Sequence, residues 1–598
     1  MLIPDTLLVC GLIVAWGGAL VGWGLAIAPF GRSTTPETAG TLGDSGLLGL
    51  MALSVLGCVA NFFMPLGGWP SAVILLSGWG LLIVNWRLAR AAWRYAPNLP
   101  LAALLAFAIP TLAMRLVSPK FLHSYDTGLY HLQTILTTRD SALVLGLANL
   151  HSRFGYNSLW LVLSAGLSLP VFEMQSMFIA NILVAIFSMV AILQRLVRSA
   201  DPGFSISQIF GFGSAVICPA IVILLPVHSP NTDLAPALLV IEVFYIAIIF
   251  IERSSDLTQR ANRSAELALV IMFSAFAITL KTSQLMICLV PLALIVAIFL
   301  GGLSVAWRPI LWAGVFSAIL LMAWDLRGVG LSGCVFYPAA STCLAQLPWS
   351  VPPESAAREL ALIKAWARNP GADAEKTLSN WQWLRPWALH LLRNPVAWLI
   401  AALTALTATA SLLFDILSRR SSPAMRAASR STELRLYLSL SVCSAIGVCF
   451  WFLSSPDLRF ALGFLVALPL IGASIAFCLS PTDKPSQSQS LPKSLLVLTS
   501  YLRRQPAISA FVIASVAILA HAAFHRNDRP LIWPIPPHSA VVKRLTYEGR
   551  PIYVPASGDQ CWDAMRPCTP YFDPSLRFGN FGRWQMIAPG VRHPVDSR

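Results

Sequence analysis

Long apolar stretches recur along the whole sequence, fourteen of them, near residues 5–29, 46–64, 71–86, 101–117, 172–194, 207–226, 233–251, 264–280, 284–300, 309–325, 396–416, 436–454, 460–480 and 507–524. A helix crossing a bilayer needs about 20 mainly apolar residues. With 56% of 598 residues hydrophobic and only 12% charged, these stretches cannot be covered by polar surface in water. The sequence therefore predicts an all-α polytopic membrane protein of about 14 transmembrane helices. It excludes a soluble enzyme, a disordered scaffold and a small disulfide-framework secreted protein. The first stretch has no Lys or Arg before it and no small-residue cleavage site, so it reads as a retained span.

The net charge of +15 reads as topology, with no nucleic-acid partner, because Lys and Arg mark cytoplasmic loops. Alternate loops hold nineteen of them, including Arg87, Arg90, Arg94, Arg195, Arg253, Arg263 and Arg435, against five in the opposite short loops (Lys120, Arg139, Arg153, Lys281 and Arg459). That asymmetry predicts both termini outside. The expected organisation is an N-terminal three-span module (1–100), a transmembrane core (101–325) with a first outer loop at 118–156, an outer loop region (326–395), C-terminal helices (396–524) and an outer tail (525–598). The apolar run 156–170 is too short to span, and parity returns it to its own side as a re-entrant or interfacial helix. The Ser-rich stretch 480–490 reads as a linker, and no 20 to 50 residue repeat is visible.

Four of the eleven cysteines, Cys334, Cys343, Cys561 and Cys568, fall on the outer side, where disulfides persist. Cys561 with Cys568 would close a loop around Trp562 and Pro567, but spacing alone leaves four free thiols as the alternative. Metal-ligand spacings such as CxxC are missing, so no structural zinc is expected.

Polar side chains gather where this topology places the outer face. They are His123, Tyr125, Asp126, Tyr130, His131 and Gln133; His151, Arg153 and Asn157; His228, Asn231 and Asp233; Lys281 and Gln284; Asp325 and Arg327; Asp457 and Arg459. Ionisable groups held at a bilayer edge by separate hairpins are costly unless they face a polar cavity. Asp126 is the candidate general base, with a pKa raised by weakly solvated surroundings, while helix capping is the plain alternative. Lys281, Arg327 and Arg459 suit a lipid phosphate or diphosphate, with snorkelling as the alternative for each, and Asp457 could simply orient Arg459. In His228-Ser-Pro-Asn-Thr-Asp233, Thr232 or Asp233 could cap the next span. Trp381, Trp383 and Trp387, with Arg385 and His390, read as interfacial anchors or as platforms for sugar rings.

An outer-side Asp in a loop after an early span, basic residues at later outer hairpins and a soluble outer tail resemble the GT-C superfamily. These glycosyltransferases use polyprenyl-phosphate-linked sugars, as do the protein O-mannosyltransferases and the lipid A aminoarabinose transferases. The phrases Tyr125-Asp-Thr-Gly-Leu-Tyr-His-Leu-Gln133, Asn149-Leu-His-Ser-Arg-Phe-Gly-Tyr-Asn157, Cys334-Val-Phe-Tyr-Pro338, Ser455-Pro-Asp-Leu-Arg-Phe460 and Pro567-Cys-Thr-Pro-Tyr571 look closer to a family of uncharacterised bacterial polytopic proteins near that superfamily. By similarity, Asp126 matches the first-loop catalytic carboxylate. Here that loop follows the fourth expected span rather than the first, and Asp126 has no acidic neighbour.

The resemblance implies an inner-membrane, multi-pass transferase with a periplasmic active face. Its donor would be a polyprenyl-phosphate sugar, its acceptor a glycan, lipid or protein, and its outcome inversion. Membrane lipids are the other expected partners. Tyr125, Tyr130, His131, His151, Arg153, Asp233, Asp457, Lys281, Arg327 and Arg459 would bind substrate, and a divalent metal could join Asp126 to the phosphate. A polymerase or ligase using lipid diphosphate donors, a transporter or flippase, and a non-catalytic assembly protein are the competing readings.

Overall fold

The computed structural model describes residues 2–28, 40–93, 124–169, 172, 176–198, 205–225, 227, 229–255, 260–394, 397, 398, 401, 402, 404, 405, 430–479 and 540–590. The expected spans 101–117 and 507–524, most of 396–416, Lys120, His123, His228 and the Ser-rich stretch lie outside these residues. What is described is mostly helical. The apolar helices are α1 (Leu2–Ile27), α2 (Leu42–Asn61), α3 (Trp69–Val84), α4 (Ala180–Arg198), α5 (Ile206–Leu224), α6 (Leu234–Glu252), α7 (Arg260–Leu280), α8 (Leu289–Gly301, led by the 3-10 turn Thr282–Cys288), α9 (Trp307–Ser332), α10 (Arg430–Ser454) and α11 (Leu462–Leu479). Among the described residues eight helices are long and apolar enough to cross a membrane, nine if α3 and Trp86–Trp93, bent by 78°, count as one span. α5 and α11 carry only shorter apolar segments, and each has an internal proline, Pro219 and Pro469.

Hydrogen bonds show which helix ends lie together. At one end Asn61, closing α2, donates to the Thr138 and Ser141 carbonyls; Asn181, opening α4, donates to Ser229 and Asn231; and Gln284, ahead of α8, donates to Phe460 before α11. At the other end the Leu42 amide reaches Gln194, the Ser207 amide reaches Glu252, and Arg263 reaches the Ser304 carbonyl. Antiparallel alternation thus gathers the connections into two groups. Arg195 and Arg263, placed in loops by the sequence, are buried, and Arg195 bridges Asp44 and Glu242. Paired charges of this kind are how ionisable groups persist inside a helix bundle.

Small residues let α1 approach α2. A Cβ on Gly24 would stand 1.6 Å from the Ser45 oxygen, and one on Gly49 would stand 1.9 Å from the Leu20 oxygen. Such contacts replace the hydrophobic drive that lipid does not supply. Gly49→Leu is therefore expected to separate the pair and lower thermal stability by about 1–3 kcal/mol or more. Gly80→Leu, whose Cβ meets nothing within 4 Å, is the control that leaves the melting curve in place.

The apolar run expected to be re-entrant folds as the helix Leu159–Gly166, capped by Ser158. Ser158 donates to the Leu280 carbonyl and Ser168 accepts from the Gly68 amide, so the segment enters and leaves at the same end. It is buried throughout and packs against α2.

Residues 540–590 form two antiparallel hairpins, β1 (Val542–Tyr547) with β2 (Arg550–Pro555) and β3 (Arg577–Phe581) with β4 (Trp584–Ala588). β1 and β2 meet through Glu548 and Gly549, both with positive φ, as a two-residue turn of the I′ class requires. The Leu145 amide donates to the Gln585 carbonyl and its carbonyl accepts from the Ile587 amide, along β4, and Trp584 and Arg583 donate to the Phe62 and Phe63 carbonyls at the close of α2. Leu129, Leu143, Leu145, Leu150, Trp349, Leu576 and Ile587 share one apolar contact region that fastens this module to the 124–156 segment. Two disulfides join Cys334 with Cys343 and Cys561 with Cys568.

Candidate functional site

Asp126 precedes a π-helical turn, Thr127–His131, that leads into the helix Leu132–Asp140. π-turns are uncommon and concentrate at functional positions. The turn is held from two sides, by Ser229 and by the 562–564 segment. Thr127 and Ser229 hydroxyls lie 2.6 Å apart, the Trp562 amide donates to the Gly128 carbonyl at 3.0 Å, and Gln133 donates to the Trp562 and Ala564 carbonyls. Gly128 is required here, since a Cβ would fall 2.4 Å from the Trp562 indole.

Asp126 does not cap this turn with its side chain. Arg153 donates to Oδ1 at 3.1 Å and Arg459 to Oδ2 at 3.0 Å. Burial pushes the carboxyl up, but Arg459, His131 and Arg153 outweigh it and hold it below the usual carboxylate range. The expected raised pKa is thus corrected, because the two guanidinium groups bonded to the carboxylate favour its charged form by more than burial disfavours it.

Arg459 is the hub. It also donates to Asp457 at 3.1 Å and lies 3.6 Å from Asp233, which pairs with Lys281. Lys281 and Arg459 both face the Phe460 ring, at 4.0 and 5.0 Å. Burial lowers the Lys281 pKa against the pull of Asp233. The expected cap of α6 by Thr232 or Asp233 is instead made by the Asn231 carboxamide, which accepts from the Asp233 and Leu234 amides and leaves the Asp233 carboxylate to the cations. Three carboxylates and three cations from five chain segments thus meet at one group of helix ends. The arginines are still partly open: side-chain exposure is 33% for Arg153 and 32% for Arg459. Among the described residues Nη2 of each has no partner, leaving donors for an anion.

His131 is buried beside this network, and among the described residues neither ring nitrogen has a hydrogen-bond partner. Tyr130 meets it edge-on at 4.3 Å, and Tyr156 in turn meets Tyr130 edge-on at 5.5 Å. Burial lowers the His131 pKa to about 4. Between about pH 6.5 and 4 the unfolded chain binds the proton and the folded chain does not, so stability falls as the solution is acidified. His131 alone should account for roughly 3 kcal/mol across that window, and melting curves of His131→Phe should be flatter there than those of the wild type. His151, also pushed down to about 4 by burial, lies against Phe154 and Tyr571.

The other expected residues divide. Tyr125 is half exposed, and its hydroxyl donates to Asp559. Arg327 does not join the ion pairs: it lies inside α9, not after it, 2% exposed, and donates to the Asn157 carboxamide at 2.9 Å. Hydropathy ended that span at residue 325, while the helix continues to Ser332 and carries Arg327 into the packed interior. Trp383 is buried among Trp381, Trp387 and Phe452, and Trp387 bonds the Pro456 carbonyl. These rings brace the turn that carries Asp457 and Arg459. Both Asp126 oxygens face guanidinium groups, and among the described residues no three His, Cys, Asp or Glu side chains form a metal-holding group, so the residues present do not fit a divalent metal beside Asp126.

Sequence reasoning missed Asp559 and Glu359, the latter a partner of the Tyr156 hydroxyl, and gave no site role to Trp562 or Tyr571. The flagged Cys561 and Cys568 were the signal for Asp559, Trp562 and Tyr571. No curated protein and no solved structure matches the chain. Residues 7–466 match the family model described as Domain of unknown function (DUF8201), and the chain belongs to that family.

Proposed function

We propose that this protein is a GT-C-type glycosyltransferase of a bacterial inner membrane, with its active face periplasmic, that transfers a sugar from a polyprenyl-phosphate donor to an outer-leaflet acceptor. The observation that carries the reading is Asp126 held between Arg153 and Arg459, whose side chains remain 33% and 32% exposed. Guanidinium forks match phosphate oxygens and stabilise the charge that grows as a lipid phosphate departs. Lys281 adds a positive charge within the same network.

In this reading the acceptor oxygen attacks the anomeric carbon from the face opposite the phosphate. The bond from that carbon to the phosphate oxygen breaks, its electrons leave with the polyprenyl phosphate, and the acceptor proton passes to Asp126. The configuration inverts. A carboxylate held ionised starts in the form a base needs, and its low proton affinity suits a late transfer from an already acidified hydroxyl. Arg327, set apart on Asn157, is a positioning residue for the 156–158 turn in this scheme.

The test is release of polyprenyl phosphate from a labelled polyprenyl-phosphate sugar by the protein in vesicles, with acceptor present. Acceptor-dependent release supports the reading, and its failure with every donor sugar offered contradicts it. Reporter fusions after Arg94 and Arg435 should both read as cytoplasmic.

A further inference from the structure

Beyond the charged network lies a second group of side chains, part of it from a module that follows the family-matched residues 7–466. Tyr571 is 68% exposed and Tyr125 52%. Single exposed aromatics need no explanation, but these two are near enough to influence each other electrostatically, and both neighbour Asp559 or His151. The arrangement is built. Gln560 donates to the Tyr125 carbonyl at 2.9 Å, and the Thr569 hydroxyl donates to the Leu150 carbonyl at 2.9 Å, seating Tyr571 against His151 with rings 12° from parallel. His151 is 6% exposed, and among the described residues its Nδ1 has no partner. Asp559 accepts from Tyr125 through one oxygen, and among the described residues no cation pairs with it. Arg153, which bonds Asp126, lies near enough to act on both Tyr125 and His151.

We infer that Tyr571 and Asp559, supplied by the C-terminal hairpins, complete with Tyr125 and His151 a pyranose-binding subsite that takes a glycan acceptor. The inference rests on the transferase reading and narrows its acceptor to one class. The axial C–H face of a pyranose stacks on exposed tyrosine rings, while its hydroxyls donate to the open Asp559 oxygen, and His151, buried behind Tyr571, backs the stacking ring. A lipid chain would need a continuous apolar groove, and an anionic acceptor would meet repulsion from Asp559.

Saturation-transfer NMR on the full-length protein in detergent, with maltotriose, mannotriose, galactotriose and chitotriose as probes, tests this without any donor. The readout is therefore independent of transfer. At least one trisaccharide should receive saturation at its ring C–H protons. Tyr571→Phe should keep that binding, and Tyr571→Ala and Asp559→Asn should each weaken it about tenfold. If no trisaccharide binds, or if Tyr571→Ala binds as the wild type does, the subsite is overturned even where donor turnover persists. Binding lost in Tyr571→Ala from a protein that never consumes donor would keep the subsite and remove the transferase reading.

Discussion

Asp126→Asn is expected to cut transfer by about 10²- to 10⁴-fold, the range over which a positioned acid or base acts. The substitution keeps the side chain's shape, but only one of its terminal atoms accepts a hydrogen bond. Arg153 and Arg459 each donate to one Asp126 oxygen, so the new amide group must face one of them donor to donor. Stability should fall by about 1–3 kcal/mol as that guanidinium loses its partner. Size-exclusion behaviour and helical content, measured beside activity, separate the chemical loss from misfolding. A variant that folds normally and turns over at the wild-type rate removes Asp126 from the chemistry.

Arg459→Ala has the larger structural effect. One guanidinium serves Asp126, Asp457 and Asp233, and removing it leaves three carboxylates with only Arg153 and Lys281 for partners. Breaking a fully buried pair costs about 3–5 kcal/mol; here about 2–4 kcal/mol is expected, since a third of the Arg459 side chain reaches solvent. The sign with pH follows from Asp126. Its carboxyl is held below the ordinary range, so its stabilising share is full above the unfolded value and lost as pH falls through the folded one. In Arg459→Ala the Asp126 carboxyl rises, that acid-side loss moves to higher pH, and the gap between the two proteins' melting temperatures should narrow on acidification. Arg459→Lys keeps a charge but not the fork, and should recover stability more than activity.

Hydropathy and charge read well what depends on distance along a helix. Alternating spans dictate which end each hairpin reaches, and Asp126, Arg153, Asp233, Lys281, Asp457 and Arg459 do meet at one end. Rotation about the helix axis leaves no such trace. Arg327 shares that end yet is turned toward Asn157, because neighbouring helices, not hydropathy, set its direction. Partners far apart in sequence were hidden for the same reason: the Asp126 carboxylate depends on a residue 333 positions away, which reversed its expected pKa shift. The hairpins of the C-terminal module were open to a closer reading. Glu548-Gly549 between β-rich flanks and the glycine at 582 are turn signals, but short exposed strands lack the long apolar period on which the reading of the spans relied.

The account turns on whether the open faces of Arg153 and Arg459 receive a lipid phosphate. Native mass spectrometry of the protein released from detergent, loaded with a polyprenyl phosphate against an equal amount of bilayer phospholipid, measures this directly. The account predicts a polyprenyl-phosphate adduct on the wild type that is at least about tenfold weaker on Arg459→Ala. Equal retention of both lipids, unchanged by the substitution, would contradict it.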